Sequence, residues 1–101
     1  MKPFSGTNYA PLGYVDRENI LIANKVIGHV ANNQITDSNN NVIGYIDGQF
    51  IRNERDSVVA EFDNGNIFDN HHKCIGHYEG GQHIGQAGAA YLALFYRPLA
   101  S

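Results

Sequence analysis

The sequence predicts an all-β fold, a pseudo-symmetric repeat of short antiparallel β-hairpins arranged as a meander, with a short apolar helix at the C-terminus. Three observations predict it. A motif of two apolar residues followed by a small one returns at a near-constant interval, the intervals are punctuated by Asn, Asp and Gly, and beyond Gly80 the composition turns to Gly, Ala and Leu.

The motif reads PLGYVD at 11–16, VIGHVA at 26–31, VIGYID at 42–47, VVAEFD at 58–63 and CIGHYE at 74–79. Its small residue is Gly13, Gly28, Gly44, Ala60 and Gly76, at spacings of 15, 16, 16 and 16, the signature of a repeat architecture. Eight or nine residues earlier stands an apolar residue, in turn Phe4, Ile20, Ile35, Ile51 and Ile67. Each unit is therefore a short strand, a polar turn and the motif strand, with units at about 4–15, 20–30, 35–46, 51–62 and 67–78 of a single domain spanning 1–101.

The connections have turn chemistry. DGQ and DNGN join consecutive units, and DSNNN, NERDS and DNHHK lie inside units; Asn and Asp tolerate left-handed backbone and form Asx-turns. Roughly ten short antiparallel strands follow. Strict alternation puts Ile43 and Tyr45 on one face of their strand and Gly44 and Ile46 on the other. The recurring small residue marks either a crowded symmetric axis or a bulge in each strand, and both readings stand.

The tail GGQHIGQAGAAYLALFYRPL favours a helix from about Gln86 to Tyr96, within an apolar segment at 86–97, stopped before Pro98. Ala87, Ala90, Tyr91 and Leu94 form one stripe and Ala89, Leu92, Ala93 and Tyr96 the other. A helix apolar all round must be buried, over one end of the β-structure or in a neighbouring subunit. An extra strand is the alternative for YLALFY.

Composition narrows the function. A formal charge of −3 with no basic run lacks the footprint of a nucleic-acid binder. Lone Cys74 allows no intrachain disulfide, and the first ten residues lack the apolar run of a signal peptide, so a cytoplasmic location is expected; an exported chain whose leader had been removed reads the same. No apolar stretch approaches the ~20 residues of a membrane span.

The repeat is an Ile with Asp or Asn two positions on, then Ile or Val before a Gly and Ile or Val two after it. Followed by a glycine pair and an Ala/Leu-rich tail, it resembles bacterial β-flower repeat proteins, which occur in four-fold and five-fold forms. The resemblance runs from about Phe4 to the tail. It implies hairpin petals around a pseudo-symmetric axis and carries over no catalytic residue; some members are exported, which leaves the compartment open. Two departures stand out: the turn inside each unit lacks the Gly often found there, and unit four carries Ala60 and Glu61, so its petal is expected to sit differently.

Two constellations are candidates for chemistry. His71, His72, Cys74 and His77, with His83 close behind, offer ligands for zinc or another transition metal. By alternation Cys74 and Gly76 share a face and His77 takes the other, so His71 or His72 with His77 or His83 is the better metal set. Cys74 occupies the slot of Val26, Val42 and Val58, where a thiol serves as a small hydrophobe, and His71 and His72 occupy a turn. The residues after the markers, Tyr14, His29, Tyr45, Glu61 and His77, form a ring able to hold a small polar ligand, unless they simply cover the outer face. Asp16, Asp47, Asp63 and Glu79 recur at turns, where Asp is favoured structurally, and no catalytic motif is recognisable.

The sequence reading is thus a non-enzymatic structural or protein-interaction module without a cofactor, self-associating as a homo-oligomer through its C-terminal segment or meeting a protein partner. A small-molecule or metal-binding module using the His-rich fifth unit is the alternative.

Overall fold

A computed structural model describes residues 2–96. Ten strands alternate with short turns: β1 Pro3–Ser5, β2 Pro11–Asp16, β3 Asn19–Ile22, β4 Lys25–Ala31, β5 Gln34–Asp37, β6 Val42–Asp47, β7 Phe50–Asn53, β8 Val58–Asp63, β9 Asn66–Asp69 and β10 Cys74–Tyr78. Each pairs antiparallel with its sequence neighbour, and β1 pairs with β10, so the sheet closes into a barrel. Closure removes the unpaired edges that an open meander would expose. The five hairpins β1–β2, β3–β4, β5–β6, β7–β8 and β9–β10 are the five units.

Two-residue turns link the units, with Asn32 and Asn33, and Asn64 and Gly65, all at positive φ, the geometry that matches strand twist in tight hairpins. Three of the turns inside units share one Asx device. Oδ1 of Asp37 accepts from the backbone N–H groups of Asn39 and Asn41, Asn53 Oδ1 from Arg55 and Ser57, and Asp69 Oδ1 from His71 and Lys73. A carboxylate or amide thus satisfies two backbone donors that the sheet cannot reach.

Every hairpin also carries a bulge beside its marker. Ile35 pairs with Gly44, but Thr36 pairs with Val42, leaving Ile43 as the extra residue; Leu12, Ile27, Val59 and Ile75 are its equivalents. All five pack against the core. The alternation expected for Ile43 and Tyr45 is therefore corrected: the bulge turns Ile43 inward, while Tyr45 is exposed. The same bulge corrects the placement of Cys74. It pairs with Phe68 on the outer surface and does not share the inward face of Gly76.

Both meanings of the small marker hold at once, because it adjoins a bulge and lines a crowded interior. A Cβ on Gly44 would lie 2.6 Å from the Arg52 carbonyl oxygen and 2.6 Å from Leu94 Cδ1; on Gly28 it would lie 2.8 Å from the Phe95 ring. Ala60 keeps the register of the glycines, pairing with Ile51 and Asp69 and fully buried. The fourth petal therefore does not sit apart.

What crowds the interior is the tail. α1, Gln82–Ala90, runs directly into a π-helical segment, Tyr91–Tyr96. The helix begins earlier than the expected Gln86 and reaches the expected Tyr96; the end of the apolar segment at 97 and the stop before Pro98 lie outside the described residues. Ala87, Ala89 and Ala90 are fully buried and Leu92 nearly so; Ala87 packs in a cluster with Phe4 and Ile20, and Ala89, Ala90 and Leu92 in a second with Ile35, Ile51, Phe62 and Ile67. Gly85 and Gly88 let this helix approach the wall, since a Cβ on Gly88 would lie 2.8 Å from Phe4 Cβ. From Ile84 to Leu92 the helix is mostly apolar and packed within the barrel of its own chain, while Gln82, His83 and Tyr96 are exposed. Of the two placements expected for the tail, its first part, from Ile84 to Leu92, thus takes the one within the β-structure of its own chain, and Tyr96 beyond it is 48% exposed. Burial pushes the Tyr91 phenol above its usual range, and the neighbouring Tyr96 adds to the shift. Among the described residues, no helix is long and apolar enough to cross a membrane.

Candidate functional site

With the small markers facing the helix, the residue after each points outward. Tyr14, His29, Tyr45, Glu61 and His77 form a belt around the outside of the barrel, each on a different unit. Their partners in register differ: Tyr14 lies between Pro3 and Leu21, His29 between Asn19 and Thr36, Tyr45 between Gln34 and Arg52, Glu61 between Phe50 and Phe68, and His77 between Asn66 and Ser5. An outward belt does not converge on a single ligand at the axis.

The metal candidates are also held apart. His71 and His72 lie exposed in the turn before β10, and His83 lies in the first turn of α1 beyond its other end. His72 Nδ1 is 3.7 Å from Glu61 Oε1, and the Cys74 thiol donates to the Gly76 carbonyl at 3.4 Å. Among the described residues, no three His, Cys, Asp or Glu side chains gather as a metal site.

One member of the belt has an environment of its own. Nδ1 of His77 lies 3.0 Å from Asn66 Oδ1. That oxygen only accepts, so Nδ1 carries the hydrogen of this bond, and Nε2 is free of it. The same pair occurs at His29, whose Nδ1 is 2.8 Å from Asn19 Oδ1; the His–Asn bond is thus a property of the repeat. At His77 alone a further aromatic ring is stacked: Tyr9, with ring centroids 3.9 Å apart and planes 8° from parallel.

Tyr9 is brought there by the 6–10 loop, which replaces the shorter turns of the other units. Its backbone N–H donates to the Gly6 carbonyl, and the Ala10 N–H donates to Asn8 Oδ1. The loop holds Tyr9 at φ 63°, a conformation uncommon for a bulky side chain, and leaves the residue 69% exposed. Asn24, Asn40, Asp56 and His72 hold the same left-handed slot in the other units, so the backbone conformation belongs to the repeat and the exposed phenol ring to Tyr9.

Beside the stack lies a cleft of about 480 Å³, within the usual range for small-molecule sites. It sits on the seam where β1 closes against β10. Pro3, Ser5, Tyr9 and Pro11 line one side; Asn64, Gly65, Asn66, His77, Tyr78 and Glu79 line the other. Glu79 is the single acidic residue among these, and no Lys or Arg is present. Another cleft of similar volume lies among Ile43, Asn53, Glu54, Arg55, Val59, Ala93 and Leu94, where the tail meets the turns of the third and fourth units.

Of the cleft-lining residues, sequence reading singled out His77 as a belt and metal candidate and placed Asn64, Asn66 and Glu79 only among the turns. Tyr9 went unnoticed because it fills a turn slot, four residues before the marker, that Asn24, Asn40, Asp56 and His72 fill in the other units. The signal available was the longer, divergent first connection, GTNYA, set against four shorter ones.

Comparison with curated proteins and with solved structures returned no match. Residues 3–96 match the family model described as 5-fold beta-flower protein, the five hairpins around one central helix giving that description its physical content. The chain belongs to the 5-fold beta-flower family.

Proposed function

We propose that the protein is a non-enzymatic binding module, a closed repeat barrel that serves as scaffold for a ligand site at its seam. The observation carrying this reading is Tyr9, exposed and stacked on His77 at the rim of a cleft. The equivalent His29–Asn19 pair lacks the stacked ring, so the repeat alone does not require it. Of the two roles read from the sequence, small-molecule binding is favoured over self-association through the tail, most of whose apolar surface from Ile84 to Leu92 is taken up by the barrel.

The test is a titration of isotope-labelled protein with a chemically mixed fragment set, followed residue by residue by NMR. Shifts clustered on Ser5, Asn64–Asn66 and His77–Glu79 are expected. Shifts confined to other surfaces, or none at all, would overturn the assignment.

A second reading, contact with a protein partner, draws on Tyr45 and Phe50, 40% and 39% exposed on neighbouring strands. Association that protected these two side chains and left the seam untouched would favour it.

A further inference from the structure

Resting on that reading, we infer that the ligand of the seam cleft is a neutral saccharide, with the ring of Tyr9 as the platform for one pyranose face. The inference deepens the binding assignment by naming a ligand class, and it stands on the chemistry of the lining.

A sugar presents hydroxyl groups, each both donor and acceptor, around a ring whose C–H face is apolar. The cleft offers the complement of both. One face of Tyr9 is covered by His77 at a 3.9 Å centroid distance, yet 69% of the residue is exposed, leaving its other face open. Flat aromatic surface that is already ordered loses little conformational freedom on binding. The amides of Asn64 and Asn66 carry both donors and acceptors, the Glu79 carboxylate accepts, and the His77–Asn66 bond engages Nδ1 and leaves Nε2 as a further polar atom. Pro3 and Pro11 add apolar wall without adding charge.

The same lining disfavours the competing classes. Phosphorylated ligands and acidic peptides need Arg, Lys or a comparable cluster of donors, and the cleft has neither residue. A quaternary ammonium group is held best by a cage of several aromatic faces, whereas here His77 is covered on one side by Tyr9 and Tyr78 is the one further aromatic ring among the lining residues. An extended peptide that adds a strand needs a free sheet edge, and the barrel is closed.

The experiment is an NMR titration with neutral mono- and disaccharides of glucose, galactose, mannose and N-acetylglucosamine. Inorganic phosphate, tetramethylammonium and an uncharged tripeptide serve as controls, and Tyr9→Ala and Tyr9→Phe as variants. Tyr9 lies on an exposed loop, so both variants should fold, which thermal melting checks. The expected result is saturable movement of Asn64–Asn66 and His77–Glu79 with at least one saccharide, weakened about tenfold or more in Tyr9→Ala and retained in Tyr9→Phe, as loss of an aromatic contact predicts. If a control moves the seam and no saccharide does, the saccharide is overturned and the binding site survives. Should saccharides bind Tyr9→Ala as well as wild type, the platform is overturned. If neither these compounds nor the mixed fragment set moves the seam, both proposals fall.

Discussion

The rings of Tyr9 and His77 lie parallel, 8° from coplanar and 3.9 Å apart between centroids, joining the first loop of the chain to its last strand across the barrel seam. Stacked aromatic pairs contribute about 0.5–1.5 kcal/mol beyond area burial, while a bulky residue in a sparsely populated backbone region costs about 1–3 kcal/mol. The two terms offset each other at Tyr9. Tyr9→Gly is therefore predicted to leave stability within about 1 kcal/mol of wild type while removing ligand binding. Urea unfolding paired with the seam titration checks this; a purely structural Tyr9 would lose stability and binding together.

The markers predict an asymmetry between Gly44 and Ala60. A methyl group at Gly44 would meet the Arg52 carbonyl and Leu94 at 2.6 Å, so Gly44→Ala should destabilise by about 1–3 kcal/mol or more through overpacking. Ala60 has room for its methyl in the same register, and Ala60→Gly should cost only about 1 kcal/mol through backbone freedom and a lost contact. Denaturant midpoints of the two variants should separate clearly.

His72 occupies the left-handed turn position that Asn40 and Asp56 hold in the two preceding units, at φ 65°, 66° and 64° respectively. Asn adopts this conformation more readily than His. His72→Asn is expected to raise stability by up to about 1 kcal/mol, measured by thermal melting. The 3.7 Å contact with Glu61 that it removes is exposed on the His72 side and contributes little.

The Asp37 carboxyl is held below its ordinary value of 3.8, chiefly by the backbone N–H of Asn41 and further by the Asn41 side chain and the Asn39 N–H, against a smaller opposing effect of burial. A carboxyl depressed in the folded state stabilises fully above the unfolded value and loses that contribution as pH falls through the folded one. The stability gap between wild type and Asp37→Ala should therefore be constant well above pH 3.8 and narrow below it. Urea midpoints across acidic pH test the sign: a gap that widened on acidification would contradict it.

The repeat was legible because its cause is local. Gly13, Gly28, Gly44 and Gly76 recur at near-equal spacing, and Asp37, Asn53 and Asp69 announce the same turn three times. The fate of the tail was half legible. An all-apolar helix demands burial, but the choice between its own barrel and another subunit depends on closure, a long-range pairing of β1 with β10. Alternation failed at Ile43 and Cys74 for a definite reason: a bulge shifts the period by one residue, and the marker glycine offered a bulge as one reading without placing it at the residue before. The belt residues were found, but their outward direction follows from where the helix sits. Tyr9 was missed because it contributes by contact across the seam, invisible to any pattern along the chain.

The central claim is that the seam has a function the repeat does not supply, and the protein contains its own control. His77–Asn66 and His29–Asn19 are repeat-related pairs with the same hydrogen bond, and the stacked Tyr9 belongs to the first alone. The direct measurement is one spectrum in which the ring signals of both histidines are followed through a saccharide titration. The account predicts that His77 moves saturably while His29 stays in place. Equal movement of the two, or movement of His29 alone, would contradict it.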